Sequence, residues 1–335
     1  MKAMQLQRTA AIESAPLRAV ELATPVPGAG QVRIKVHVCG ICRTDLHVIE
    51  GELPERRLPI IPGHQIVGHV DAVGEGVGEL LEGDRVGVAW LRHTCGSCRF
   101  CRSDRENLCE RAAFTGYDAD GGYAEYALVP AAFAYRIPDA YDDVSAAPLL
   151  CAGIIGYRAL SRAQVPAGGR LALYGFGSSA HVVLQLACHR GCRVFVVTRG
   201  AGHGELARRM GAEWVGKNAA EVPEKVDSAI IFAPVGRLVP AALESLAKGG
   251  TLALAGIYMS QVPALDYEKH LFYEKDVRSV TSNTRADGRA LLAEAASAGV
   301  RPHVTTYPLH EANRALLDLK SDRINGSGVL TVAQG

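Results

Sequence analysis

The sequence predicts a mixed α/β protein in two parts, a compact irregular β-barrel followed by a doubly wound parallel sheet. Over the first 150 residues, short segments alternating apolar and polar side chains are punctuated by glycine turns, the pattern of half-buried strands. After Cys151 apolar strands alternate with helical segments, which implies parallel β-α-β units. Between the first such strand and its helix lies Gly175-Phe176-Gly177-Ser178-Ser179-Ala180.

In chain order, Val32-Arg33-Ile34-Lys35-Val36-His37-Val38 is the best alternating strand. Val67 to Val77 carries glycines at 68, 74 and 76, and Leu81-Glu82-Gly83-Asp84-Arg85-Val86 turns into another short strand. The second part reads as a strand over Leu171–Tyr174, a glycine turn and a helix over His181–His189. A strand over Val194–Val197 and a helix around Glu205–Met210 follow. Ser228–Phe232 is a strand with a helix over Pro240–Lys248, and Thr251–Ile257 is the next strand. The last stretch has one amphipathic helix, Glu311–Leu319, and a closing strand, Gly328–Val332, expected to rejoin the barrel. The predicted boundaries are 1–151 with 284–335 for the barrel part, and 152–283 for the parallel sheet. No internal repeat or low-complexity tract is evident.

Composition narrows the function classes. The 335 residues are 48% hydrophobic and 21% charged, with a net charge of +1. That balance fits a soluble globular protein and argues against nucleic-acid or membrane-surface binding, which need a basic excess. No run approaches the roughly 18 apolar residues of a membrane span, and the N-terminal Met1–Arg8 lacks the apolar core of an export signal. Nine cysteines, an odd number, then point to a reducing compartment and metal ligation. The expected location is the cytoplasm.

Four of those cysteines, Cys95, Cys98, Cys101 and Cys109, have the spacing C-x2-C-x2-C-x7-C on a loop rich in glycine, serine and arginine. Thiolates so spaced converge on one tetrahedral Zn²⁺. An iron–sulfur cluster is the main rival, but the ferredoxin run places its fourth cysteine after three residues with proline behind it. Here Glu110 follows Cys109.

The glycine loop fits G-x-G-x-x-G/A, with Gly175, Gly177 and Ala180 at the three positions. Placed after a strand and before a helix, it reads as a dinucleotide site with pyrophosphate on the helix N-terminus. The next strand ends in Val197-Thr198-Arg199, without the carboxylate that would bind the ribose hydroxyls of NAD. A hydroxyl and a guanidinium suit a 2′-phosphate instead, so NADP(H) is favoured over NAD(H).

Three separated segments supply a further donor set: Cys42 in Cys39-Gly40-Ile41-Cys42-Arg43-Thr44-Asp45-Leu46-His47, His64 in Pro62-Gly63-His64-Gln65, and Cys151 in Leu150-Cys151-Ala152. Two thiolates and an imidazole would leave one position of zinc open, as a catalytic site needs. Each has an ordinary reading when taken alone. Cys39 and Cys42 form a C-x-x-C that suits a redox pair, His64 suits a turn, and Cys151 suits a small buried hydrophobe.

Together these segments resemble the zinc-dependent alcohol dehydrogenases of the medium-chain dehydrogenase/reductase superfamily, from Cys39 to the terminal strand. The resemblance implies a GroES-like catalytic domain split around a Rossmann domain, and two zincs per chain. Cys42, His64 and Cys151 would hold the catalytic zinc, and Cys95, Cys98, Cys101 and Cys109 the structural one. It further implies that Thr44 contacts the substrate hydroxyl and passes its proton towards His47 through the cofactor ribose. Asp45 would orient His64, Arg43 would contact pyrophosphate, and Trp90 would line the substrate pocket.

The chain departs from the family at Gln65, where the family has glutamate behind the zinc. One negative charge fewer there should ease ionisation of a bound alcohol. Near Ser327 a pyrophosphate arginine is lacking, which Arg43 would offset. The implied activity is hydride transfer between a nicotinamide cofactor and a small alcohol, aldehyde or ketone, in a dimer or tetramer. A zinc polyol or sugar dehydrogenase is the alternative enzyme. A non-catalytic zinc- or nucleotide-sensing regulator is the alternative class.

Overall fold

The computed structural model describes residues 1–332; the end of the range assigned from sequence to the barrel part, 333–335, lies outside the described residues. The chain forms two units, one from Met1–Cys151, Ser282–Ala296 and the chain from His303, the other from Ala152–Thr281 and Ser297–Pro302. The return to the first unit thus begins two residues before the expected 284, and 297–302 belongs with the second.

The first unit is built on an antiparallel core. Gln31–Ile41 is its central strand and pairs with Gln65–Val73, with Tyr126–Pro130 and with Ser327–Thr331. Arg85–Val88 and Ala134–Arg136 extend the sheet on one side, and Val304–Pro308 on the other. Alternation in the sequence becomes alternation in space: Val32, Ile34 and Val36 are buried while Lys35 is exposed, because successive side chains of a strand face opposite ways. Inward residues of several strands meet Leu6, Ile49, Ile60, Ile66 and Leu330 in one apolar core. Each such side chain contributes about 1.5–3 kcal/mol by leaving water. Two register shifts, between Arg33 and Ile34 and between Val36 and Val38, bend the central strand as bulges do.

The second unit is a six-stranded parallel sheet. Its spatial order is Trp214–Gly216, Arg193–Val197, Arg170–Tyr174, Val226–Ile231, Leu246–Leu254 and Asp276–Ser279. In sequence numbering this is 3-2-1-4-5-6, the order of a dinucleotide-binding doubly wound fold, whose switch point lies beside the first strand. Ala172, Tyr174, Phe195, Ile231 and Leu243 fill one face of it. The helix expected over Pro240–Lys248 runs instead over Leu238–Ser245, and the next strand starts at Leu246. Pro240 is accommodated in the first helical turn, where its missing N–H is not needed. No single helix among the described residues is long and apolar enough to cross a membrane.

Candidate active site and metal centres

Cys42 stands at the junction of the central strand and the helix Arg43–Ile49, where it is the N-cap. Its sulfur accepts from the Thr44 N–H at 3.3 Å, and the Asp45 carboxylate accepts from the Cys42 N–H at 2.8 Å. This reciprocal box satisfies N–H groups that a helix start would otherwise leave bare. It also fixes the direction of Cys42. His64 follows a turn that only glycine permits: Gly63 has φ +96°, and a Cβ there would fall 2.3 Å from the Tyr123 ring and 2.8 Å from the Cys39 sulfur. Cys151 lies between a 3₁₀ turn, Ala147–Leu150, and the helix Ala152–Ala163.

These elements bring three donors together. Cys42 Sγ is 3.3 Å from His64 Nε2 and 3.8 Å from Cys151 Sγ, and all three donor atoms lie within 4.8 Å of one another. Tetrahedral zinc with Zn–S of about 2.3 Å and Zn–N of about 2.0–2.1 Å has edges of roughly 3.5–3.8 Å, so the donor set fits that metal. The other ring nitrogen of His64, Nδ1, is 3.1 Å from Asp45 Oδ1, an arrangement that orients a ligating imidazole. Cys39, although only three residues away, is buried and stands outside the donor set.

The electrostatics ready one of the three donors, while the hydrogen bond to Cys42 and burial push the Cys151 thiol well up. Hydrogen bonding from Cys151 holds the Cys42 thiol well below its usual value, against burial and with help from His64. Burial opposes a charge on His64, but the Asp45 carboxylate and the Cys42 thiolate raise it to about 10. Burial pushes the Asp45 carboxyl up, with His64 opposing it. A metal entering this set displaces protons from its donors, so loading is tied to proton release.

The second cluster is formed by the loop itself. Cys95 and Cys101 sulfurs are 3.8 Å apart and those of Cys98 and Cys101 3.5 Å, and all four sulfurs, Cys109 included, lie within 4.8 Å. Gly96 at φ +68° and Asp104 at φ +57° make the turns. The Ser97 and Cys98 backbone N–H groups lower the Cys95 thiol to about 5, favouring the thiolate a metal takes. Glu106 ties this loop to the returning chain through Arg285, at 2.8 Å to Nη2 and 2.7 Å to the backbone N–H.

Around the first donor set, Trp90 meets His64 edge-on with ring centroids 5.0 Å apart. Thr44 and His47 share the capped helix with Cys42, and Arg43, its first residue, is exposed. His47 Nδ1 is held in a short contact by Glu52, a partner the sequence reading missed. Gly51 at φ +75° and the Glu52 N–H donated to the His47 carbonyl at 2.9 Å fold the loop back to put it there. Gln65 is buried, folded so closely over Gly40 that a Cβ there would meet it at 2.9 Å, and its Nε2 has no partner.

In the second unit, Gly175 has φ +90°, and a Cβ on it would meet the Ala233 N–H nitrogen at 3.0 Å. A Cβ on Gly177 would meet nothing within 4 Å, so an open cradle faces the start of the helix Ser178–His189, whose N-cap Gly177 supplies no side-chain cap. Ala180 is fully buried, where the third small residue of such a loop packs helix on sheet. Thr198 follows the end of the strand Arg193–Val197, and Arg199 is exposed.

An antiparallel barrel unit with an N/S₂ donor set, joined to a 3-2-1-4-5-6 parallel sheet with a glycine cradle, defines a metal-dependent nicotinamide oxidoreductase. Comparison with known proteins narrows it. Residues 28–139 match the alcohol dehydrogenase GroES-like domain and residues 180–297 the zinc-binding dehydrogenase domain. The chain is 51% identical over 337 residues to the probable alcohol dehydrogenase AdhA of Mycobacterium tuberculosis, covering 99% of this chain and 97% of the relative. Among solved structures, the thermostable alcohol dehydrogenase of Pyrobaculum aerophilum, with bound cobalt and zinc, superposes with a TM-score of 0.88 at 28% identity over 99% of both chains. The acetophenone reductase of Geotrichum candidum in complex with NAD gives 0.87 at 26%, over 98% of this chain and 96% of that one. The protein belongs to the zinc-type alcohol dehydrogenases of the medium-chain dehydrogenase/reductase superfamily. Its activity is that of an alcohol dehydrogenase.

Proposed function

We propose that Cys42, His64 and Cys151 hold a catalytic zinc, that Cys95, Cys98, Cys101 and Cys109 hold a structural zinc, and that the enzyme interconverts small alcohols with aldehydes or ketones using NADP(H) in preference to NAD(H). The observation that carries the reading is the three-donor set, which would leave the fourth position of a zinc to substrate, with one donor, Cys42, capping the helix that bears Thr44 and His47. When bound, these groups supply Lewis-acid polarisation of the substrate oxygen and hydride transfer.

The chain's own residues handle position and proton. Asp45 orients His64. Thr44 Oγ1 accepts the hydrogen bond of the alcohol hydroxyl. Glu52 accepts a hydrogen bond from the His47 Nδ1–H in their short contact, which leaves Nε2 as the atom that accepts the departing proton. Thr44→Ala then lowers turnover about 10²–10⁴-fold, the usual worth of general acid–base catalysis, with metal content unchanged. His47→Gln has a smaller effect, partly restored by added buffer base. Full turnover of Thr44→Ala when hydride transfer limits the rate contradicts the proton route.

Cofactor preference rests on Thr198 and Arg199 at the strand end, with Gly175, Gly177 and Ala180 cradling the pyrophosphate and Arg43 contacting it. Hydrogen bonds to charged groups contribute about 1.5–3 kcal/mol, and exposure of Arg199 favours the lower figure, about tenfold. Arg199→Ala raises KM for NADPH about tenfold and leaves that for NADH nearly unchanged. A wild-type kcat/KM preference for NADH refutes the assignment. The enzyme is further proposed to be cytoplasmic and homo-oligomeric. Exposed Tyr267, Phe272 and Tyr273 lie in the segment just before the outer strand of the parallel sheet, Asp276–Ser279, and Val277 lies in it, an edge that a second copy would cover.

A further inference from the structure

Trp90 is held by more than His64. The Phe114 ring lies nearly parallel to it, 17° apart with centroids 5.0 Å distant, and the Tyr117 ring does the same at 19° and 5.7 Å. Aromatic pairs of this kind contribute about 0.5–1.5 kcal/mol beyond burial, so the indole has a strong preference for one orientation.

Tyr117 is itself placed by backbone. Gly116 has φ +75°, and a Cβ on it would come 2.8 Å from the Gly63 nitrogen; one on Gly121 would come 2.0 Å from the Gly63 oxygen. The Thr115 N–H donates to the Trp90 carbonyl at 2.8 Å, and the Gly122 N–H to the Gly63 carbonyl at 2.9 Å. The turn bearing Tyr117 is therefore pressed onto the segment that carries His64. At its far end the Tyr117 hydroxyl donates to the Pro54 carbonyl in a short contact. Tyr117 is buried, with Val48, Leu53 and Ile60 lining the space beside it.

We propose that Tyr117 is a specificity-determining residue: by stacking on Trp90 it holds the indole as a rigid, flat, apolar wall beside His64, and so selects planar aryl or conjugated substrates over puckered or branched ones of equal size. Its hydroxyl is committed to Pro54, so Tyr117 adds no polar group for a polyhydroxylated substrate to bind. The inference rests on the proposed catalytic site and on the place in the substrate pocket that the family resemblance implies for Trp90.

The test compares kcat/KM for benzaldehyde and cyclohexanecarbaldehyde, using the zinc-loaded enzyme. The two differ in flatness and in conjugation of the carbonyl, so the change in their ratio between variants is what reads the wall. The wild type favours benzaldehyde about tenfold or more, within the range that pocket shape achieves. Tyr117→Phe keeps that ratio because the ring is retained, whereas Tyr117→Ala and the bulkier Tyr117→Leu bring it towards one. The chain has two tryptophans, so in a Trp214→Phe background the fluorescence anisotropy of Trp90 alone is read. It falls in Tyr117→Ala and Tyr117→Leu but not in Tyr117→Phe. A wild-type ratio and anisotropy in both Tyr117→Ala and Tyr117→Leu overturn the proposal. If Trp90→Ala retains its metal yet leaves the substrate ratio unchanged, the underlying placement of Trp90 at the substrate is what fails.

Discussion

Replacing Cys42 with serine yields a folded protein that has lost one of two zinc equivalents and nearly all alcohol oxidation. Cys42 is the central donor, in contact with both His64 and Cys151 at 3.3 and 3.8 Å, and a serine hydroxyl gives up its proton to a metal far less readily than the lowered thiol does. Lewis-acid stabilisation takes several kcal/mol off the barrier, so without it turnover falls roughly 10³-fold or more at about 1.36 kcal/mol per decade. The fold survives because the capping role of Cys42 passes to serine, one of the best N-cap residues. Metal analysis, turnover and a thermal melt on the same sample check all three parts. Two zincs bound to an active Cys42→Ser protein contradict the site assignment.

The opposite pattern is expected of Cys98→Ser. Its loop has little core of its own: Cys98, Cys101 and their neighbours are at least partly exposed, and sulfur contacts of 3.5–3.8 Å replace apolar packing. Structural zinc in peptides contributes about 10–16 kcal/mol of apparent binding energy as folding energy, comparable with the roughly 5–15 kcal/mol net stability of a whole domain. Losing even part of that lowers the melting midpoint by about 10 °C or more, at roughly 2–4 °C per kcal/mol. The Glu106–Arg285 tie carries the damage into the returning chain. A melt within 2 °C of wild type, with both metals retained, disproves a structural role.

How much of this could be read from sequence depended on distance along the chain. The four-cysteine cluster was legible because its ligands are close neighbours and loop chemistry alone converges them. Cys42, His64 and Cys151 were not legible singly: they lie 22 and 109 residues apart, and no local pattern joins them until the whole motif order is matched to a family. Glu52 escaped because it reaches His47 across a turn made by Gly51, five residues on, outside any helical periodicity. Phe114 and Tyr117 escaped for a similar reason, since their stacking on Trp90 comes from a short strand pair, Leu91 with Phe114, and a glycine turn. Element edges slipped where glycines lie inside elements. Gly249 and Gly250 read as a break, yet the strand Leu246–Leu254 runs through them, with Gly249 at φ +73°.

The central strand has a consequence for synthesis. Val38 to Ile41, which lead directly into Cys42, pair with Thr331 to Gly328. A ribosome adding about 5–20 residues per second needs roughly 15–60 s to supply that partner after the strand itself is made. The segment ahead of Cys42 keeps one open edge until then, whereas the parallel unit is supplied through Pro302 before the partner strand Ser327–Thr331 is made. The nascent protein therefore holds the whole of its parallel unit before it receives the strand that pairs with the segment leading into Cys42.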